Sequence, residues 1–448
     1  MPIHPIEYRY GTPEMKSIWT RESRFRFILQ TEIALSKAES DVGLIPESAA
    51  VEIEKTYCLV KLSRVDEIEK KLNHEMAAIV NAISEQCSND SGKWVHFGAT
   101  SNDILDTATA LQLKESIFIL EKRLLNLLSV LVKLSMSHKK TVCCGRTHGQ
   151  IGIPFTYGLR FCIWASEIDR HMDRLSQLKP RILVGKMTGA VGTQAAFGKH
   201  GQEIQKRTMK YLKLGSVDIS NQVIQRDRHA EFVMWLAGVV TTLDKIGIEI
   251  RTLQRSEIAE LEESFGKNNV GSSTMPHKKN PVKSEQICGL ARIVRGFVET
   301  ALQNNTLWDE RDLTNSSSER IIFPEVCILT DYIIKSGTDV LSNLNFNYEN
   351  IERNLKLLNG LNMSEPIMIE LIKRGVGRKE AHEYVRKFVM NVQNETGGKK
   401  NGEIFEILSH EDIEYLTNPY NYIGTAVEQV ESVCGKLVSK YDLKPEFQ

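Results

Sequence analysis

Helix-breaking residues are scarce in the middle of this chain. No proline lies between Pro180 and Pro276, or between Pro324 and Pro366. Since proline interrupts the interior of a helix, stretches this long without it are typical of long helices. Segments in which apolar and polar residues alternate are almost absent, so few β-strands are expected. The sequence therefore predicts an all-α fold.

The apolar residues recur at helical spacing. One broad stripe, in steps of three and four residues, consists of Ile117, Leu120, Leu124, Leu127, Leu128, Leu131 and Leu134. A helix so broadly apolar is buried on several sides. A second long helix is predicted from about His229 to Leu261, with an inner face of Phe232, Leu236, Val239, Val240, Leu243, Ile246, Ile250 and Leu253. These patterns predict a central long-helix bundle at 105–352, between smaller helical domains at 1–104 and 353–448.

Length, charge and cysteine usage narrow the class of protein. A chain of 448 residues is too long for one compact core. Its 57 basic and 57 acidic residues cancel, which argues against nucleic acid and membrane surfaces as partners. The longest apolar run, 232–243, is shorter than the ~20 residues that span a bilayer. The eight cysteines form no CxxC pair, and no signal peptide is recognisable, so we expect a cytoplasmic enzyme with reduced thiols.

Polar, non-periodic stretches interrupt the helical pattern. They are NHE (73–75), HFGATSND (96–103), GRTHGQ (145–150), GSSTMPHKKNP (271–281) and WDERDLTNSSSER (308–320), the last of which could be a loop or the start of a solvated helix. The hydroxyls and positive charges of 271–281 suit a small anion, although a flexible linker is also possible. This segment lacks the GK[ST] of a nucleotide P-loop. We hypothesise that these stretches converge on one pocket.

Residue types alone leave alternatives open for each stretch. His148 could act as a general acid or base near neutral pH, or could satisfy a backbone carbonyl in a turn. Thr100 and Ser101 could cap the helix that follows or hold a carboxylate at its start. Arg311 and Arg320 flank a run of serines, which suits a phosphate monoester and equally suits a solvated face.

The segment GSSTMPHKKNP closely resembles the GSSxMPxKxNP signature of the fumarase/aspartase superfamily of fumarate-releasing lyases. Within that superfamily, further stretches resemble adenylosuccinate lyases in the same order: RYGTPEMKSIW, HFGATSNDILDTATALQLKES, GRTHGQ, GAVGTQAAFG, QVIQRDRHAEF, ERDLTNSSSERI and GVGRKEAHEYVRK. The resemblance spans the chain. It implies three helical domains, a homotetramer built on the central bundles, and active sites that each take segments from three subunits.

The resemblance also implies an activity and roles for residues. The activity is β-elimination of fumarate from succinylated purine nucleotides, with no metal and no organic cofactor. Ser273 would be the base and His148 the acid, while Lys278 and Asn280 would hold the succinyl carboxylates; whether Ser272 could replace Ser273 stays open. The other substrate-binding positions are Arg9, Tyr10, Asn73, His74, Glu75, Thr100, Ser101, Gln222, Glu285, Arg311, Ser316 and Arg320. Glu75 stands where the family more often has Asp, and Lys279 where it often has Arg.

Three rival interpretations remain. A carboxymuconate cycloisomerase-like enzyme, or another fumarate-releasing lyase, would share the signature segment, but the positions matched to phosphate and sugar binding would then be idle. Argininosuccinate lyase fits the flanking motifs less well. A non-catalytic helical scaffold would have no need to retain both Ser273 and His148.

Overall fold

The structure is a computed structural model that describes residues 4–264, 275, 277–393 and 404–443. Ser272 and Ser273 lie outside the described residues. In that part of the chain the α-helices are α1 Pro5–Tyr8, α2 Pro13–Ile18, α3 Arg21–Asp41, α4 Glu47–Lys55, α5 Leu62–Leu72, α6 Glu75–Ser84, α7 Ser101–Ser137, α8 Tyr157–Ile182, α9 Gly201–Leu212, α10 Asp227–Leu253, α11 Val282–Gln303, α12 Thr314–Ser342, α13 Tyr348–Lys356, α14 Ser364–Lys373, α15 Arg378–Gln393, α16 Ile404–Ile407, α17 His410–Thr417 and α18 Ala426–Tyr441. The all-α prediction is confirmed.

Helix α7 has the broad apolar stripe that its sequence predicts. The stripe residues from Ile117 to Leu131 are at most 1% exposed, and Leu134 is partly buried. Burial of one leucine or isoleucine side chain contributes about 1.5 to 3 kcal/mol. The stability of α7 therefore rests on packing along most of its length.

The predicted second long helix is confirmed, but its predicted end is wrong. Helix α10 ends at Leu253, eight residues before Leu261. The backbone N–H of Glu260 returns to the carbonyl of Leu253, and Ala259 takes a left-handed conformation with φ of 48°. Leu261 then begins a short strand that pairs with Asn345 and Phe346. The apolar pattern continues through this turn, so spacing alone placed the end of the helix too late.

Six short strands in the described part of the chain were not predicted from the sequence. They are β1 Val142–Thr147, β2 Gln150–Thr156, β3 Val184–Gly185, β4 Gly215–Ser216, β5 Leu261–Glu262 and β6 Asn345–Phe346. They form three two-stranded sheets, with β1–β2 and β5–β6 antiparallel and β3–β4 parallel. Most are only two residues long, too short for alternation to be recognised.

The chain divides into two compact units. The first comprises Met1–Leu124, Arg170–Leu243 and Cys288–Lys335, and the second comprises Leu125–Asp169, Asp244–Ile287 and Ser336–Gln448. In the first unit a core forms around α3, α6 and α9, with Ile28, Ile79 and Ile204 almost fully buried. In the second unit a smaller core lies between α14, α15 and α16. The three domains predicted at 1–104, 105–352 and 353–448 stay a prediction.

All eight cysteines lie within the described residues and none forms a disulfide. Six are buried, Cys87 is partly buried, and Cys58 is exposed. Burial raises the pKa of several of these thiols, including Cys144, whose pKa rises to about 11. Among the described helices, none combines the length and apolarity that crossing a bilayer requires.

Candidate active site

The predicted acid, His148, lies at the exposed tip of a β-hairpin in the second unit. Strands β1 and β2 pair from Val142 opposite Thr156 to Thr147 opposite Gln150, which leaves His148 and Gly149 as a two-residue turn. Both have positive φ, 53° and 75°. Such turns match the right-handed twist of a hairpin. Positive φ is uncommon for residues other than glycine and costs some backbone strain, and the hairpin holds His148 in this conformation with its side chain exposed.

This hairpin is held by the fully buried Glu260. Its carboxylate accepts hydrogen bonds from Arg146 at 2.5 Å, from Asn354 at 2.9 Å, and from the Tyr157 hydroxyl. Burial lowers the pKa of Arg146, but the hydrogen bond and charge of Glu260 outweigh burial and raise the pKa. Burial is also the main cause that raises the pKa of Tyr157. Arg146 therefore anchors the strand that ends beside His148.

The predicted base, Ser273, lies outside the described residues, and its role stays a proposal. The carboxyl end of the signature segment is described. Lys278 is exposed, and its backbone N–H donates to the Met275 carbonyl at 3.0 Å. The ammonium of Lys279 lies 3.0 Å from Glu262. Asn280 is partly buried, and Glu285 is exposed in the first turn of α11.

The start of helix α11 is held by Glu263. Its carboxylate accepts the backbone N–H groups of Lys283 at 3.2 Å and Ser284 at 2.7 Å, and the Ser284 hydroxyl at 2.6 Å. These are donors that a helix leaves unsatisfied in its first turn, and a carboxylate is stabilised there by the helix dipole. The point at which the signature segment becomes helical is thus fixed.

A cavity of about 700 Å³ lies beside this segment in the second unit. Its lining includes Lys278, Asn280 and Glu285, which the sequence assigned to the site. The basic residues that line it are Arg251, Arg255, His277, Lys278 and Lys279. Glu262 and Glu285 are its acidic residues. Cationic groups outnumber anionic ones, so the cavity favours a negatively charged ligand.

In the first unit, Glu75 lies between two arginines. Arg24 contacts its carboxylate through both terminal nitrogens, and Nη2 of Arg320 lies 2.6 Å from Oε2. Burial would raise the pKa of Glu75, but Arg24 and then Arg320 outweigh it and hold the pKa below its ordinary value. Asn73 ends α5 with φ of 49°, and Nδ1 of His74 accepts the Ala77 N–H to cap α6. The stretch 73–75 therefore connects helices α5 and α6, and its last residue, Glu75, binds both Arg24 and Arg320.

Thr100 and Ser101 lie at the start of α7. Helix α7 begins at Ser101, and the backbone N–H of Thr100 donates to Oδ2 of Asp103 at 2.9 Å. Both residues are partly buried, while Asp103 is fully buried. The prediction that this polar stretch begins a helix is confirmed.

Gln222 and Arg311 are in direct contact in the first unit. Nη1 of Arg311 donates to Oε1 of Gln222 at 2.9 Å. Burial lowers the pKa of Arg311. Ser316 lies in the first turn of α12, which begins at Thr314, so the stretch 308–320 does contain a helix start. Two segments far apart in sequence are thus joined.

Arg9 and Tyr10 follow helix α1. The Arg9 guanidinium lies 5.8 Å from the centre of the Tyr10 ring, and Tyr10 meets the edge of Tyr332 at 5.7 Å. Arg9 is exposed and Tyr10 is partly buried. The aromatic contact positions Tyr10, while the arginine remains accessible.

A second cavity, of about 310 Å³, lies in the first unit. Its lining includes Glu75, Ser316 and Arg320 together with Arg24 and the apolar ring of Trp19. This volume is at the lower end of those of small-molecule sites. The whole lining has an aromatic surface, four arginines and three carboxylates, so cationic groups outnumber anionic ones and an anionic ligand with an apolar part is favoured.

A buried ion-pair network lies beside this cavity. Arg226 donates to both oxygens of Asp106, at 2.8 and 3.0 Å, and its Nε donates to Glu319 at 2.8 Å. The backbone N–H of Ile224 also donates to Asp106. Burial would raise the pKa of Asp106, but Arg226 outweighs it and lowers that pKa. The network joins α7, the start of α10 and α12.

Arg24, Asp106 and Arg226 were not identified from the sequence. Arg24 lies within RESRF, and Arg226 within QRDRH, both rich in charged residues. Charged side chains are usually solvated, so composition gives no sign that these two face a cavity. The only available signal for Arg226 was the family resemblance of the stretch that contains it.

Residues 7–296 match the profile of a family described as Lyase, and residues 360–433 match one described as Adenylosuccinate lyase C-terminus. A protein of Methanocaldococcus jannaschii named adenylosuccinate lyase is 51% identical over 98% of this chain and 97% of its own length. A protein of Methanothermobacter thermautotrophicus with the same name is 52% identical over 97% of this chain and 98% of its own length.

The chain belongs to the adenylosuccinate lyase family.

This lyase also resembles solved structures over its full length. A fumarate lyase from Mesorhizobium sp. BNC1 superposes with a TM-score of 0.86 at 30% identity, covering 97% of this chain and all of the other. The 3-carboxy-cis,cis-muconate lactonizing enzyme from Pseudomonas putida gives 0.88 at 27% identity, covering 98% and 99%. The fold is that of the fumarase/aspartase superfamily.

The predicted site residues of this lyase fall into two groups. Those in the first unit are Arg9, Tyr10, Asn73, His74, Glu75, Thr100, Ser101, Gln222, Arg311, Ser316 and Arg320. Those in the second unit are His148, Lys278, Asn280 and Glu285. Within the first group, side-chain hydrogen bonds join Glu75 to Arg320 and Gln222 to Arg311.

Proposed function

We propose that this protein is an adenylosuccinate lyase, which eliminates fumarate from adenylosuccinate to give AMP and from the succinylated aminoimidazole carboxamide ribotide of purine biosynthesis. The observation that carries this proposal is identity of about half the residues with adenylosuccinate lyases over nearly the whole length of both chains. The two cavities add support, because both suit anionic ligands.

The elimination requires a base at the succinyl Cβ and an acid at the departing nitrogen. We assign the base to Ser273 and the acid to His148. The accessible imidazole at the hairpin tip supports the second role. Serine is a weak base, so positive charge around the signature segment is needed to favour its deprotonated form. Lys278 and its basic neighbours supply that charge and would stabilise the carboxylate on which charge builds in the transition state.

The nucleotide phosphate and sugar are assigned to the first unit. Arg320, Ser316, Arg311 and Arg9 offer guanidinium and hydroxyl donors, which suit a phosphate monoester. Arg320 is paired with Glu75, and a phosphate carries more charge and more acceptor oxygens than a carboxylate. We propose that the phosphate shares Arg320 with Glu75 when substrate binds.

Assembly and cellular location are part of the proposal. The exposed hairpin tip that carries His148 supports a homotetramer in which sites are shared between subunits. Eight cysteines without a disulfide support a cytoplasmic location, since thiols persist in reducing compartments.

The cycloisomerase alternative shares the fold. The lactonizing enzyme is 27% identical to this chain, well below the adenylosuccinate lyases. An enzyme without a nucleotide substrate would also have no use for Arg311, Ser316 and Arg320. Nothing in the described residues favours this alternative.

The direct experiment is a spectrophotometric assay with adenylosuccinate, with succinyladenosine as the matched substrate that lacks the 5′-phosphate. We expect turnover of adenylosuccinate and a much lower kcat/KM for succinyladenosine. Equal turnover of both would refute the phosphate assignment. No turnover of either succinylated purine would refute the proposed function.

The acid and base assignments are tested by His148→Ala and Ser273→Ala. Each should lower kcat by ~10² to 10⁴ without loss of folding, because both residues belong to polar stretches of the sequence. Mixing the two inactive proteins after dissociation and reassembly should restore activity wherever one site receives both intact residues. A variant with near-normal kcat would exclude its residue from the assigned role.

A further inference from the structure

Asp103 and Lys186 form an ion pair that is fully buried in the first unit. Both side chains are 0% exposed, and Nζ of Lys186 lies 2.5 Å from Oδ1 of Asp103. Desolvating two charges is costly, and a buried pair is often no more stabilising than apolar residues of similar volume. Stability alone is therefore a weak explanation for this pair.

The Asp103 carboxylate also joins two backbone segments. Oδ1 accepts the N–H of Thr188 at 2.8 Å, while Oδ2 accepts the N–H groups of Gly189 at 3.0 Å and Thr100 at 2.9 Å. With Lys186 this makes four donors on one carboxylate. An amide in its place would present an NH₂ group to some of these donors, so only a carboxylate can accept all four. Asp103 thereby ties the start of α7 to the loop that follows β3.

From this loop the hydrogen bonds continue to two other predicted binding residues. The Thr188 hydroxyl lies 2.9 Å from the Ser220 hydroxyl. Two residues further on, the Gln222 amide donates to the carbonyl of Ala190 at 2.7 Å. Gln222 in turn accepts from Arg311 at 2.9 Å. Three segments distant in sequence, those of Thr100, Gln222 and Arg311, are therefore connected through the loop that Asp103 holds.

We propose that Asp103 and Lys186 are a positioning pair for the lyase reaction, which set the relative placement of the Thr100 and Gln222 segments around the substrate. This inference rests on the proposed function. Lys186 supplies the compensating charge and a second contact to the loop, since its ammonium also donates to the Thr188 hydroxyl at 3.0 Å. Neither side chain is accessible, so the pair acts through the groups it holds.

The test compares Asp103→Asn with the double variant Asp103→Asn/Lys186→Met. The single substitution leaves Lys186 buried without the carboxylate with which it is paired, so both melting temperature and kcat/KM should fall. The double substitution removes the stranded charge, so melting temperature should return towards the wild-type value. The carboxylate that held Thr100, Thr188 and Gly189 is still missing, and kcat/KM should stay on the order of 10²-fold low, as expected for small displacements of binding groups.

Leu120→Ala is the control for lost stability. Leu120 is fully buried on the same helix, α7, and makes none of these hydrogen bonds. Its truncation should lower the melting temperature and leave kcat/KM near the wild-type value at the assay temperature. If the double variant regained activity together with stability, or if neither Asp103 variant folded, the pair would be a folding element and the positioning role would be refuted.

Failure of this inference and failure of the proposed function give different results. A wild-type protein without turnover of adenylosuccinate would refute the proposed function. An active wild type with an equally active Asp103→Asn variant would refute the positioning role alone.

Discussion

Glu39 is the buried carboxyl with the clearest consequence for stability. It lies on α3, is fully buried, and neither of its oxygens has a hydrogen-bond partner among the described residues. Burial, followed by the negative charge of Glu32, raises the pKa of Glu39 from 4.5 to about 9. At pH 7 this carboxyl is therefore protonated in the folded protein and ionised in the unfolded chain.

The size of the effect follows from these two pKa values. Keeping Glu39 protonated in the folded state lowers the free energy of unfolding by about 1.4 kcal/mol for each pH unit above 4.5, or about 3 kcal/mol at pH 7. Glutamine has nearly the same shape and carries no such cost. Glu39→Gln should therefore raise the free energy of unfolding by about 3 kcal/mol at pH 7.

The raised pKa of Glu39 determines how its effect on stability changes with pH. Below pH 4.5 the Glu39 carboxyl is protonated in both the folded and the unfolded state, so it does not lower the free energy of unfolding of the wild type. Between pH 4.5 and about 9 only the unfolded state loses this proton, and the wild type is progressively destabilised. Above that range the folded carboxyl ionises as well, and the difference levels off. The advantage of Glu39→Gln should thus be small at pH 5 and largest near pH 9.

Urea unfolding across this pH range, at one protein concentration, measures the difference between variant and wild type. Glu115→Gln is the matched control, because Glu115 is exposed on α7 and its change should lie within about 0.5 kcal/mol. A Glu39→Gln advantage that did not vary with pH would show that Glu39 is ionised in the folded protein, and would refute the reasoning.

Three further substitutions test the site. Arg320→Ala should raise KM for adenylosuccinate on the order of tenfold, from loss of a charge-assisted hydrogen bond, and an unchanged KM would remove Arg320 from the phosphate site. Gly149→Ala should lower the free energy of unfolding by about 1 to 2 kcal/mol, because φ is 75° and no atom of the described residues lies within 4 Å of the added methyl group, so the loss is backbone strain alone. Glu260→Gln should cost about 3 kcal/mol in urea unfolding, since Arg146 and the Tyr157 hydroxyl lose a buried charged acceptor; a neutral result would show that Arg146 has another acceptor.

The helical class and the inner faces of α7 and α10 could be predicted because they depend on repeated apolar residues. Ile117 to Leu131 carry that signal over several turns, and no single residue decides it. The end of α10 could not be predicted in this way. It depends on one left-handed residue, Ala259, and on the return of the Glu260 N–H to Leu253, which leave the apolar spacing unchanged.

The candidate site was predicted in part. Residue types left two interpretations open for each of His148 and Arg320, and only the resemblance decided between them. Spacing could not have done so, because polar stretches have no period. The residues that hold the site in place were missed for a physical reason. Asp103, Lys186 and Arg226 are charged residues that become buried only because partners distant in sequence neutralise them, and a single sequence does not identify those partners.

The uneven exposure of the cysteines makes fluorescence labelling practical. Maleimide dyes react with accessible thiolates, so they should modify Cys58 well before the six buried thiols or Cys87, whose pKa is raised chiefly by burial. One donor-labelled and one acceptor-labelled preparation could then be mixed and energy transfer followed over time. The rate at which energy transfer appears would report the exchange of chains between the proposed homotetramers. It would also give the time needed for the two inactive variants to form mixed tetramers.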